Sequence, residues 1–406
     1  MGTKIILIVL FIHAFIFQVN AQLGCTDPQA VNYDPQALLN DGSCLYNTSN
    51  YTPLLIQNFP PILAENSAMI VWNDFIWTLN DGGSMPEIFK LDLLGNVLDT
   101  ILVENASNVD WEAMTQSSTD IYVGDFGNNA GNRTDLCIYQ ISKQALMSGL
   151  NPSVQAQKRV FNYADQTSFN LPSNGHSFDA EAFYFQQDSL VLLSKNWGNL
   201  YTKRYRFPAY WTDTISIIPL DSMFVDGLIT DASIEPSTNR VLALGYKNNG
   251  SNFYTSFIYV FSDYLGSELF SGNKRRIEIG NMLNLSQTEG IAFSDSVSGF
   301  ISSEKISSVI SIDAKLFSFD FSTFFSNQAL LNEAEQKWVL ICPNPVDEYF
   351  IIPKEYLECK LQLKDFKGNM ILDIPVLHDL HLSVADLKPG TYFLFLDNTH
   401  QKIIKI

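Results

Sequence analysis

The chain has 406 residues, with 43 acidic against 25 basic side chains and a formal charge of −18. That balance excludes nucleic acid as a partner, because nothing basic is available to displace phosphate counterions. The length exceeds what one ordinary core can organise and predicts two or three domains.

At the N-terminus, Lys4 precedes the apolar run IILIVLFIHAFIF, and QVNAQ follows with Val19 and Ala21 as small residues before a cut. This pattern predicts a signal peptide over 1–21, cleaved after Ala21. The run is too short to favour a membrane anchor. No later segment approaches a membrane span, so a soluble exported protein is expected.

The next stretch, 22–48, holds GCTDPQAVNYDPQALLNDGSC with Cys25 and Cys44 at its ends. So short and polar a segment cannot bury a core, and a Cys25–Cys44 disulfide is the expected staple; closing the loop contributes roughly 3 kcal/mol in the chain-entropy model. Asp27, Asp34 and Asp41 recur at a fixed interval. They suit either calcium ligation through hard oxygens or plain Asp-Pro and Asp-Gly turn chemistry. The C-T-D-P…N-Y-D-P…D-G-S-C order resembles small cysteine-bracketed modules of secreted Bacteroidetes proteins, a resemblance that implies no activity.

From 49 to 330 the sequence reads as short strands with frequent turns and little helical periodicity, an all-β pattern. The strands fall into groups of four. ENSAMIVWN, DFIWTLND, EIFKLDLLG and NVLDTILVE form the first; DWEAMTQ, DIYVGDFGN, DLCIYQIS and KRVFNYAD the second. DAEAFYFQQ opens a third, closing with TISIIPL, and TDASIEP a fourth. A fifth has only TEGIAFSD, SGFISSEK and KLFSFDFS. Strand count and period predict a β-propeller. The orphan stretch Thr52 to Phe59 would supply the missing outer strand of the fifth group and close the ring. Five blades then use every strand; a sixth would need strands hidden between Asp165 and Asn174 or near Asp221. Cys137, inside DLCIYQI, reads as a buried free thiol.

Aligning the groups on the small residue of each first strand places Asn66, Glu112, Glu181, Asp231 and Glu289 at equivalent positions before it. First strands line a propeller channel, so these groups are expected to converge at one mouth. The second strands add Asn80, Asp125, Lys195, Tyr246 and Glu304 as candidate ligand-binding residues. Two carboxylates about 8 Å apart repel by about 2 kcal/mol at an effective dielectric of about 20. Compensation must come from Lys195, a bound cation or raised pKa values. Glu112, Glu181, Asp231 and Glu289 are therefore candidate calcium ligands and equally candidate catalytic acids and bases. A watery polar channel without either role is the bland alternative. Asp110, which recurs only as Asp179, two residues before Glu112 and Glu181, reads as a hydrogen-bond acceptor at the strand opening or as a group supporting the ring acids from behind, and Trp111 as packing between blades.

The D-W-E-A, D-A-E-A and T-E-G-I-A openings, with IYVGDFGNNAGNR after the first, resemble phytase-like secreted propellers. That resemblance implies an acid at Glu289, and less closely at Glu112 and Glu181, facing a calcium-bearing channel. A basic cluster for a phosphorylated substrate is absent; Lys195, Lys203, Arg204 and Arg206 are the nearest candidates. No G-x-S-x-G, P-loop or H-E-x-x-H occurs. His176 is the one histidine of the propeller region, in a Ser/Asn/Gly loop beside Asp179. The separate loop Gly124 to Arg133 could bind a cation through Asp125, Asn128 and Asn129 or equally serve as a turn between blade strands.

The last segment, 338–406, reads as alternating strands with turns at Pro343-Asn344-Pro345, Lys367-Gly368-Asn369 and Lys388-Pro389-Gly390, suiting a small immunoglobulin-like antiparallel sandwich. Its P-N-P, D-x-x-G-N and L-x-P-G-T-Y landmarks and basic-apolar end resemble the type IX secretion C-terminal sorting domain. The resemblance implies handling by that secretion machinery and a secreted or outer-surface location. Cys342 and Cys359 could pair here; the sequence leaves this open. The function expected is an exported propeller that binds a glycan, peptide or surface protein at an acidic, calcium-bearing pocket, or alternatively a secreted glycan or phosphoester hydrolase.

Overall fold

The computed structural model describes residues 22–147, 153–250, 253–307, 311–329, 346–352, 359–365, 369–376, 380–396 and 399–406. The expected signal peptide, the P-N-P turn and Cys342 lie outside the described residues. The chain divides into two compact units, Met1–Ser322 and Thr323–Ile406.

The first unit is a five-bladed β-propeller. Its inner strands are Asn66–Trp72, Trp111–Gln116, Ala180–Gln186, Leu228–Glu235 and Gln287–Phe293. Each touches the next, and the last touches the first, so the ring is closed. The four main strands of every blade form an antiparallel sheet in simple succession, for example Asn66–Trp72, Phe75–Asn80, Glu87–Leu91 and Val97–Val103 in blade one. Blade five is completed from the far end of the chain. Leu54–Asn58 pairs antiparallel with Lys315–Asp320, in the register Leu316↔Gln57. The segment expected to close the ring does so.

Alternation along the inner strands packs neighbouring blades. Ala68 and Ile70 face Trp111, Met114 and Ile121 of blade two, whereas Met69 faces Ala292 and Phe300 of blade five. Trp111 is fully buried between blades, donating its indole N–H to Ser107 O (3.0 Å). Aromatic rings continue the stack, with Phe126 edge-on to Phe183 at 5.3 Å. Each such burial stabilises the fold by roughly 1.5–3 kcal/mol. Cys137 is a buried free thiol in this core, and burial pushes its pKa up to about 12.

No sixth blade hides in the candidate regions. Ile215–Ile217 adds a parallel edge strand to blade two rather than closing blade three. The outer strand of blade three is Pro219–Phe224 instead. TISIIPL thus splits between two blades, because residue 218 turns the chain from one sheet edge to the next.

The 22–48 stretch sits within the first unit, stapled by the Cys25–Cys44 disulfide. It lies on blade four: Thr26 Oγ1 donates to Asp263 (2.9 Å), and Lys274 Nζ to Gly42 O (3.0 Å). The three aspartates expected as turn formers or calcium ligands act as turn formers. Asp27, Asp34 and Asp41 accept the N–H groups of Gln29 (2.9 Å), Gln36 (2.8 Å) and Ser43 (3.0 Å). They do not converge into a ligand set among the described residues.

The second unit has two antiparallel sheets. Tyr349–Ile352 pairs with Leu380–Ser383. Met370–Pro375, Lys360–Asp365, Gly390–Leu396 and Thr399–Lys405 form the other. One core, with Phe350, Leu361, Leu363, Leu394 and Ile403, serves both. No helix among the described residues is long and apolar enough to cross a membrane.

Candidate functional site at the channel mouth

Each inner strand carries a one-residue β-bulge near its start. The register skips Ser67, Glu112, Glu181, Thr230 and Glu289 in blades one to five. A bulge leaves its extra residue unpaired and re-aims its side chain. Four of these five line a cavity of about 320 Å³ at one mouth of the channel: Ser67, Glu112, Glu181 and Glu289. The second strands and the residues just beyond them contribute Asp81, Lys195, Tyr246 and Glu304 to the same wall.

This corrects four sequence expectations by one residue each. Asn66 precedes its bulge and turns inward, bonding Thr78 Oγ1 and Leu79 O. Asp231 follows its bulge and is spent bridging blades, accepting from Ile291 N–H (2.7 Å) and Ala232 N–H (2.8 Å). Asn80 donates to Ile62 O (2.8 Å), and Asp125 pairs with Arg133 (2.9 Å) and accepts from Asp110 N–H (3.0 Å). None of the four lines the cavity. Alignment on a small residue cannot detect a bulge, so it slipped in blades one and four.

Asp81 was missed, and it is central. Its carboxylate, with those of Asp110 and Glu112, presents ligand atoms all within 4.8 Å of one another. The expected role of Asp110 as a strand-opening acceptor holds instead for its counterpart Asp179, which accepts from Asn128 N–H (2.7 Å) and Trp197 Nε1–H (2.9 Å). The signal available was the N-D-G-G turn after blade one's second strand, where Asp81 stands in register with Lys195 and Glu304.

Gly127 makes the approach of the acids possible. A Cβ there would collide with the carboxylates of Asp110 and Glu112. The surrounding loop is otherwise self-satisfied: Asn128 accepts from Arg133 N–H (3.0 Å) and donates to Phe178 O (2.9 Å). His176 is structural too, its Nδ1 accepting from Phe178 N–H (3.1 Å) and Nε2 facing Asn129 O (3.2 Å).

The electrostatics follow from burial. Lys195 is ion-paired with Glu181, with 4% of each side chain exposed. Burial works against the ammonium, but Glu181 and the neighbouring carboxylates outweigh it and hold Lys195 well above the ordinary lysine range. Burial, and then Glu181, push Glu112 well above the usual carboxylate range. Burial, and then Asp81, carry Asp110 up to about 7. Glu289 is raised by burial to about 7, and Glu304 by burial and Glu289 to about 9. Buried carboxylates near one another favour neutralisation by protons or by a cation. Of the other basic candidates, Arg204 is committed to Asp221 (2.7 Å) and Glu268 (2.8 Å) and Lys203 to Asp165 (2.7 Å), and Arg206 does not line the cavity. The opposite channel mouth is a cavity of about 700 Å³ with Val71, Phe185, Ile234 and Phe293 in its wall, and lacks a comparable acidic cluster among the described residues.

Residues 340–406 match the secretion system C-terminal sorting domain. The protein is therefore delivered by the type IX route to the outer surface or the medium. No curated protein matches the chain. Among solved structures it is similar to the tail fibre of a Staphylococcus aureus phage (12% identity, 75% of this chain and 60% of that chain, TM-score 0.38). It is also similar to regucalcin, a calcium-binding protein of Agrobacterium tumefaciens (10%, 68% and 95%, 0.36). A third is an α-L-arabinofuranosidase of Podospora anserina (9%, 67% and 95%, 0.38). The chain spans 60% of the phage protein's length. The propeller assignment rests on the sheet order and the closed ring.

Proposed function

We propose that the protein is a secreted ligand-binding β-propeller whose channel mouth holds a calcium ion between Asp81, Asp110 and Glu112. One observation carries this reading. Three carboxylates from two blades meet within 4.8 Å, and among the described residues none of them has a salt bridge to a lysine, arginine or histidine. A divalent cation removes that repulsion. All three donors are hard oxygens, which suits calcium over thiolate- or imidazole-seeking metals. Calcium takes six to eight oxygens, so positions remain for water and for a ligand entering from the cavity. Glu181 and Glu289, expected as ligands to the same ion, are not part of this three-carboxylate group and would serve the incoming ligand.

Thermal unfolding tests this directly. Calcium should raise the Tm of the wild-type protein, EDTA should lower it, and Asp81→Asn and Glu112→Gln should abolish the difference. Gly127→Ala should do the same without removing a donor, because its methyl group displaces two of them. An unchanged Tm in EDTA and in calcium disproves the reading.

A secreted glycan hydrolase is the second reading, favoured by Glu304, which holds its proton at neutral pH, and Glu289, which titrates there; either has the makings of a general acid. Turnover on polysaccharides that survives Glu289→Gln and Glu304→Gln rules it out.

A further inference from the structure

The donors and acceptors around the cavity do not balance. Four donors of its wall already face a carboxylate, from the buried Ser67 and Lys195 and the half-buried Trp197 and Gln287. Ser67 Oγ donates to Glu112 Oε2 (3.3 Å) and Trp197 Nε1 to Asp179 Oδ2 (2.9 Å). Gln287 Nε2 donates to Glu289 Oε1 (2.5 Å), and Lys195 Nζ to Glu181 Oε1. Two acceptor groups of the wall are left without a donor. Glu181 Oε2 is buried with no hydrogen-bond partner, in a residue only 3% exposed. Among the described residues the Glu304 carboxyl has neither a hydrogen bond nor an ion pair, so a cation arriving there takes the place of the proton the group holds at neutral pH.

A buried acceptor without a donor costs about 1–3 kcal/mol, more when charged, so the complementary ligand is rich in donors. An anion is excluded, since the lone ammonium of the wall is already neutralised by Glu181. It also lies 5.2 Å from the Trp197 ring and 5.4 Å from the Tyr246 ring. A sugar hydroxyl could donate to Glu181 Oε2 but would leave its own lone pairs facing carboxylates. A group with N–H donors, no acceptor and a positive charge meets every requirement.

We propose that the side of the mouth formed by Glu181, Glu289 and Glu304 receives an ammonium or guanidinium group. Its apolar stem would lie on the Tyr246–Tyr254 pair, whose rings are 5.0 Å apart. The inference rests on the reading of the mouth as a ligand site. Two sources share this chemistry, a lysine or arginine side chain of a polypeptide and a free amine.

Calorimetry on the secreted chain in calcium, with agmatine, acetyl-Gly-Arg-Gly-amide, xylitol and citrate as probes, tests it. At least one cationic probe should bind, with xylitol and citrate far weaker. Tighter binding of the peptide assigns a polypeptide source, and tighter binding of agmatine a free amine; either supports the proposal. Glu289→Gln and Glu304→Gln should each weaken binding about tenfold, one charge-assisted hydrogen bond's worth. Wild-type affinity should also fall as sodium chloride rises, a readout that needs no variant to fold. The proposal is overturned if neither cation binds, if xylitol binds as tightly, or if affinity is flat with salt. The calcium reading is separated by its own measurement. A wild-type Tm indifferent to calcium sinks that reading alone, whereas cation binding that persists in Asp81→Asn shows the two halves of the mouth to be independent.

Discussion

Lys195 and Glu181 form an ion pair at the channel mouth with 4% of either side chain in contact with solvent. The pair joins the second strand of blade three to the bulge of its first, so it braces the wall of the cavity as well as setting its charge. Its second consequence is the orphaned Glu181 Oε2, which the lysine does not reach.

Removing one partner of a buried pair leaves a charge without compensation, which typically costs 3–5 kcal/mol. Lys195→Met should therefore destabilise the protein by about 3 kcal/mol in urea unfolding, and Lys195→Met/Glu181→Leu should recover most of that loss. A single-variant loss below about 1 kcal/mol would rank the pair with exposed ones.

The raised carboxyls predict a falling stability with pH. Glu289 and Glu304 have ordinary values of 4.5 and are carried to about 7 and about 9 in the fold. The folded protein binds these protons more tightly than the unfolded chain does. Their contribution is full below about pH 4.5 and declines as pH rises, through both groups to about 7 and through Glu304 alone to about 9. Unfolding in EDTA across this range should show the decline, and Glu304→Gln should flatten its upper part. A slope between pH 7 and 9 unaffected by that substitution would assign it to another group.

The ring is held shut by one short strand. Deleting the chain through Asn58 would strip Lys315–Asp320 of its outer partner and leave an open sheet edge. The truncated protein should lose a single cooperative transition and associate, as read by light scattering. Retained two-state melting at an unchanged Tm would mean that packing between the inner strands closes the ring without it.

Much of this molecule is legible along the chain because its signals are local. Strand alternation, the count of four strands per blade and the orphan stretch before Asn66 were enough to predict five blades and the closure by Leu54–Asn58. The Cys25–Cys44 staple, Trp111 between blades and the landmarks of the sorting domain are also short-range patterns. Glu112, Glu181 and Glu289 were legible for the same reason, each standing beside a small residue at a strand opening.

Which acids share the mouth was decided only in three dimensions. A bulge shifts register by one residue without altering composition, so Asp231 and Asn66 passed for channel groups when one bridges blades and the other caps its own sheet. Asp81 and Asp110 lie 29 positions apart in different blades, and only the closing of the ring brings them within reach of one ion. The sequence by itself determined the strands, the blade count and the route of export. The tertiary structure chose the site, because side-chain direction at a bulge depends on pairing across strands, which no single strand encodes.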